Sequence, residues 1–143
     1  MNTLLASAAR TVSGNSGLLT GVRWGLIEAA IFEFALSAAA TDANDTLDVF
    51  LQSSHDGGST WDDFVHFTQA IGTGGAQKFL AKWIRDIAPE REHGAAQDGV
   101  LAASSVLQGL IGPDVRVKWV IVDPTGANAS FTFSVSMTPI YKR

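Results

Sequence analysis

Hydrophobic and polar residues alternate along much of the chain, and the clearest run lies between Thr46 and Thr68. Leu47, Val49 and Leu51 alternate with Asp48, Phe50 and Gln52, the two-residue period of a strand with one face buried. The cluster Ser53 to Ser59 is rich in turn formers, with Gly57 and Gly58 free to take positive φ. A second alternation follows, with Trp61, Val65 and Phe67 on one side and Asp62, Phe64 and His66 on the other. Asp63 is the exception on the apolar side. The pattern predicts a β-hairpin.

A second hairpin is predicted near the end of the chain. Val115, Val117, Trp119 and Ile121 share one face. Asp123 to Asn128 supplies the turn, and Phe131, Phe133 and Val135 alternate with Thr132, Ser134 and Ser136 on the return. Leu26 to Ser37 fits both a helical stripe (Ile27, Ala30, Ile31, Phe34) and a strand face (Ala30, Phe32, Phe34, Leu36). The alternating aromatics favour the strand. Thr3 to Val12 and Gln77 to Ile87 stay open between strand and helix, and Pro89 ends the latter either way. Together these elements predict an all-β fold, an antiparallel β-sandwich or jelly-roll-like single domain spanning 1–143. Residues 88–112 do not fit a compact sandwich. Their apolar residues are few (Val100, Leu101, Val106, Leu107, Leu110 and Ile111), so this stretch is expected to be an extended arm or loop excursion that packs on a neighbouring subunit.

Composition narrows the functional classes. With 46% apolar residues the chain can fill a core, and only 17% of residues are charged, leaving a surface suited to being covered. The net charge of −4 argues against direct nucleic-acid binding, which needs a basic footprint. The balance is −6 over residues 1–71 and +2 over 72–143. Halves that interleave in one fold cancel this asymmetry; a protomer that keeps it favours association with its own copies. The absence of cysteine removes disulfides, thiolate nucleophiles and sulfur-ligated zinc. The most apolar stretch, Leu26 to Ala40, carries Glu28 and Glu33 and is too short for a membrane span, and no secretory signal is evident.

Ser54, Asp56, Gly58, Thr60 and Trp61 match the Asp-box pattern Ser-x-Asp-x-Gly-x-Thr-Trp at every defining position. Its logic is local: the carboxylate accepts turn amides, the glycine takes the strained backbone, and the tryptophan packs beneath. The pattern specifies a tight turn and no activity. Asp42 to Thr46 begins like a calcium loop but has Leu47 where the glycine belongs, and His55, His66 and His93 lack metal-ligand spacing. Gly72 to Lys78 lacks the ending of a phosphate loop. Adjacent Asp62 and Asp63 on a strand point to opposite faces, so they do not form a catalytic carboxylate pair. No catalytic set, metal or cofactor is expected. Among the aromatics, Trp24, flanked by Gly21 and Gly25, is the candidate for an interface, alongside the apolar residues of the excursion.

Three blocks, TLLASAARTVSGNSG, TLDVFLQSSHDGGSTWDDFVHFTQAIGTG and DVRVKWVIVDPTGANASFTFSVSM, cover about half of the chain. In combination they resemble small virion structural proteins from the head gene cluster of tailed bacteriophages, of the capsid decoration (cement) kind. The resemblance implies a β-sandwich made in the bacterial cytoplasm that binds the outer surface of the mature head. It further implies a homotrimer seated on the major capsid protein, strengthening the shell against internal DNA pressure. Phe79 to Gly112 departs from that pattern. The alternatives are a tail or neck protein of the virion and, from a different class, a glycan-binding β-sandwich module, which needs an exposed aromatic platform.

Overall fold

The computed structural model describes residues 1–39, 41–86, 94–126 and 128–143; positions 40, 87–93 and 127 lie outside the described residues, among them Pro89, His93 and the first part of the expected excursion. In chain order the strands are β1 (Asn2–Arg10), β2 (Gly14–Asn15), β3 (Ile27–Ala39), β4 (Thr46–Ser54) and β5 (Asp62–His66). Then come β6 (Ala70–Ile71), β7 (Gln77–Ile84), β8 (Ser105–Val106), β9 (Asp114–Val122) and β10 (Phe131–Tyr141). A single 3-10 turn, Trp24–Leu26, leads into β3. No helix among the described residues is long and apolar enough to cross a membrane.

The strands form two antiparallel sheets that pack face to face as a β-sandwich. One sheet has the order β1-β10-β3-β7; the other runs β2-β9-β4-β5-β8, with β6 also paired to β4. The three segments of mixed period, at the N-terminus, Leu26–Ser37 and Gln77–Ile87, are strands where described, apart from Leu26 in the 3-10 turn. β3 from Ala30 to Leu36 and β7 from Phe79 to Trp83 turn alternate residues toward the opposite sheet, whereas β1 buries only Leu4 and is held by its pairing with β10. Phe32, Phe34 and Leu36 of β3 meet Leu47, Val49 and Leu51 of β4 in one core with Phe131, Phe133 and Trp83. Phe34 sits at its centre, 5.3 to 5.6 Å from the rings of Phe67, Phe79 and Phe133. Aromatic packing of this kind contributes about 0.5–1.5 kcal/mol per pair beyond area burial.

The β4–β5 hairpin forms, with Phe50 opposite His66 and Ser53 opposite Asp62. Its register shifts between Leu51, which faces Val65, and Gln52, which faces Asp63, so Phe64 is the extra residue of a β-bulge. The bulge turns both Phe64 and Val65 into the core and puts Asp63 and His66 together on the outer face. Asp63 is therefore not a polar intruder on the apolar side.

The expected C-terminal hairpin does not exist. β9 pairs with β4 and β2, whereas β10 pairs with β3 and β1 in the opposite sheet. The turn at Asp123 carries the chain across the sandwich: its carboxylate accepts the amides of Gly126, Asn128 and Ala129 at 2.8–2.9 Å. Trp24, expected at an interface, is a core residue only 3% exposed, its carbonyl bonded to the Arg85 guanidinium at 2.6 Å. The short turn after Arg23 drops the indole under the end of the sandwich, where the large apolar side chain is drawn out of water.

Candidate functional site

The outer face of the six-stranded sheet is where the polar side chains converge. β4 contributes Asp48, Phe50 and Gln52, β9 contributes Arg116 and Lys118 opposite them, and the bulged β5 adds Asp63 and His66. β4 was expected to bury one face, yet Phe50 and Gln52 are buried as well as Leu47, Val49 and Leu51. The cover comes from residues 94–112. This stretch was expected to leave the domain as an arm; where described, it runs as a strap over its own sheet.

Two adjacent carboxylates hold the strap. The Asp63 carboxylate, itself 1% exposed, accepts the amides of Gly99, Val100 and Leu101 at 2.9–3.0 Å and the Gln52 side-chain amide at 2.7 Å. Asp62 accepts the Gln97 amide at 2.7 Å, and the Gln97 carbonyl accepts the Asp63 amide. Asp62 and Asp63 thus reach one segment instead of diverging, because Asp62 begins the strand where the strap passes. Asp98 turns back toward the sheet, accepting from Lys118 and Gln52 at 2.7 Å. Burial would raise its pKa, but these donors and the nearby Arg116 outweigh that and lower it. Arg116 donates to the Gln52 side-chain carbonyl at 2.8 Å and lies over the Trp61 ring at 4.1 Å.

His66 closes the other end. Its ring stacks on Phe50, with Nδ1 2.6 Å from the Leu101 carbonyl and Nε2 2.8 Å from the Asp48 carboxylate. Both neighbours are acceptors, so the ring satisfies both only as the imidazolium. Burial works against that charge, yet the bonds to Asp48 and Leu101 prevail and raise the pKa. Asp48 moves the opposite way: burial would raise it, and hydrogen bonds from His66 and Gln69 bring it down.

The Asp-box turn stands at one end of this face. The Ser54 hydroxyl donates to Asp56 at 2.8 Å and accepts the Gly58 amide at 2.9 Å, while Asp56 accepts the Thr60 amide at 2.8 Å. The Thr60 bond, then those from Ser54 and the Thr60 side chain, depress the Asp56 pKa to about 2. Gly58 has φ +92, and a Cβ there would meet the buried Trp61 ring at 3.3 Å. All five residues serve the turn's own geometry, with Trp61 also a platform for Arg116.

The six apolar residues of the excursion divide in two. Leu101 and Leu107 are half-buried and backbone-bonded to the domain, and Val106 and Ile111 pack against the core. Val100 and Leu110 stand in water at 68% and 79% exposure. Among the described residues no three of His, Asp or Glu gather as a metal site. Asp42 is used by Thr125 and Asn128, and Asp45 accepts the Asp42 amide. The strap clamp was not readable as a site, because its members lie in four separate segments; the misplaced Asp63 was the one visible trace. No family model, curated protein or solved structure matches the chain.

Proposed function

We propose that the chain is a non-enzymatic structural protein of a tailed-phage virion, a capsid decoration (cement) protein that binds the outer surface of the head. In this reading copies of the chain associate as a trimer against the major capsid protein and stiffen the shell by burying apolar surface across subunit junctions. The β-sandwich agrees with what the resemblance implies. The observation that carries the reading is apolar side chains presented to water from elements held by hydrogen bonds. Val100 follows an amide fixed by Asp63, Leu110 follows Gly109, whose amide is bonded to the Ile84 carbonyl, and Leu80 lies on β7 at 63% exposure. Such groups are pre-organised for association, so less conformational entropy is lost on binding. Repeated on a lattice, many modest contacts become tight occupancy. The carboxylates and the histidine of the outer face are engaged in holding the strap, which favours a structural role over turnover.

The test is to mix the protein with decoration-free expanded heads, pellet them and count copies per capsomer. Fixed-ratio co-sedimentation is expected, reduced by Val100→Asp with Leu110→Asp at unchanged melting temperature. A failure to pellet with heads, accompanied by stable hexameric rings, transfers the protein to the tail or neck. The glycan-binding alternative loses Trp24, its candidate platform, which is buried.

A further inference from the structure

A sheet's end strands carry rows of unpaired N–H and C=O groups, and soluble proteins shorten or cover them. Two of the four ends here are managed in that way. β2 and β8 are two residues long. At β1 the Arg10 guanidinium donates to the carbonyls of Ala6 and Ala8 at 3.0 Å and to that of Phe133 at 2.9 Å, filling the irregular seam between β1 and β10.

β7 is covered over half its length. Gln108 accepts the Ile84 amide at 2.7 Å and donates to the Lys82 carbonyl at 2.9 Å, and the Gly109 amide donates to the Ile84 carbonyl at 3.0 Å. These bonds show that the even-numbered residues of β7 aim their backbone groups away from β3. By the two-residue period, the N–H and C=O of Lys78 and Leu80 face the same way. Among the described residues nothing bonds to them.

Beside this open half lies a cleft of about 260 Å³ between the two sheets, bounded by β7 from Lys78 to Ala81 on one side and by His66, Phe67, Thr68, Ser104 and Val106 on the other. It suits one or two side chains of an extended segment, being below the roughly 300–1,000 Å³ of small-molecule pockets. Phe79, stacked on the buried Phe34, is only half-buried because the cleft leaves it uncovered. On the opposite, solvent side of the strand stand Lys78 and Lys82. Lys78 is exposed and only 3.5 Å from Glu33; Lys82 is exposed with no acidic partner among the described residues.

We propose that the free edge of β7 at Lys78–Ala81 is a strand-addition site, and that it takes an extended segment of a partner protein in which apolar residues alternate with acidic ones. The added strand bonds the N–H and C=O of Lys78 and Leu80. Its apolar side chains enter the cleft against Phe79 and Val106, and its carboxylates meet Lys78 and Lys82. Main-chain bonds supply affinity and the alternation supplies selectivity. The site is defined by one strand edge and holds whether or not the virion reading does, since its assay involves no heads.

The full chain is titrated with the capped heptapeptide Val-Asp-Val-Glu-Val-Asp-Val while amide exchange is followed by NMR. In the free protein the Leu80 amide exchanges fast beside a slow Ala81 amide, and the peptide slows Leu80 and Lys78. Leu80→Pro removes the outward N–H without touching the β7–β3 ladder and abolishes the slowing read at the Lys78 amide. Lys78→Glu with Lys82→Glu weakens binding about tenfold, as does replacing the peptide's acids by lysines. The charge-reversed protein decides the matter if the proline variant does not fold. A Leu80 amide already as protected as Ala81, no slowing at about 1 mM peptide, or equal binding of acidic and basic peptides overturns the proposal.

Discussion

Replacing Asp63 by alanine is the sharpest test of the strap clamp. The substitution strips the acceptor from four donors at once: the amides of Gly99, Val100 and Leu101 and the Gln52 side chain, all at 2.7–3.0 Å. Hydrogen bonds to a charged group contribute about 1.5–3 kcal/mol each, which summed naively gives an improbably large loss. The strap limits the damage, because it can lift locally and let water take the three amides. The remaining anchors resist lifting: Asp98 to Lys118, the Gln97 amide to Asp62, and the Leu101 carbonyl to His66. The expected cost is therefore that of loosening one segment, about 2–4 kcal/mol.

For a domain of this size each kcal/mol moves the melting temperature by roughly 2–4 °C, so Asp63→Ala is expected to melt about 5–15 °C below the parent. Thermal unfolding followed by circular dichroism gives the shift. Hydrogen exchange should show it arising locally, with faster exchange at Gly99 to Leu101 and little change in β3 or β10. Asp63→Asn, which keeps one acceptor oxygen for Gln52 and Gly99 but turns an NH₂ toward Val100 and Leu101, should fall between. A melting temperature within about 1 °C of the parent, with unchanged exchange at Gly99 to Leu101, would refute the idea that this carboxylate holds the strap.

Two further predictions concern pH. Asp56 has its pKa depressed to about 2 by the Thr60 amide and Ser54 hydroxyl, so its stabilisation is complete above the ordinary value of 3.8 and is lost as pH falls toward 2. The melting temperature of Asp56→Asn should accordingly fall less steeply than the parent's between those values, and parallel curves would contradict it. His66 has its pKa raised, so its contribution is complete below 6.5 and fades as pH rises through the folded value. Exchange at Gly99 to Leu101, corrected for the intrinsic rate, should quicken across that range in the parent but not in His66→Gln, and a flat parent profile would remove His66 from the clamp.

What the sequence reveals and what it hides follow from the range of each interaction. The Asp-box turn is closed within eight residues, and each of its bonds joins positions four or fewer apart, so its chemistry reads directly from Ser54 to Trp61. The strand faces read nearly as well, because a two-residue period reports which side chains are buried. That period does not report which sheet a strand joins. Val115–Val122 and Phe131–Ser136 have the alternation of a hairpin and a turn rich in Asp, Pro and Gly between them. An eight-residue link is nonetheless long enough to cross between sheets about 10 Å apart, and the chain takes that route.

The strap is the extreme case of long range. Its low apolar content reads as an arm because nothing near Gly99 in sequence satisfies the backbone there. The acceptor is Asp63, more than thirty residues earlier and turned outward by a bulge at Phe64 that no residue pattern announces. Gly112 belongs to the same class: a Cβ there would collide with the Ser54 carbonyl, so only glycine lets the strap's end cross the strand leading into the Asp-box turn. The open edge of β7 is hidden one step further still. It exists only once strand order is known, since its free N–H and C=O are groups every residue carries. Side-chain chemistry close in sequence can therefore be read one-dimensionally, whereas the surfaces by which this sandwich meets other chains depend on backbone placement.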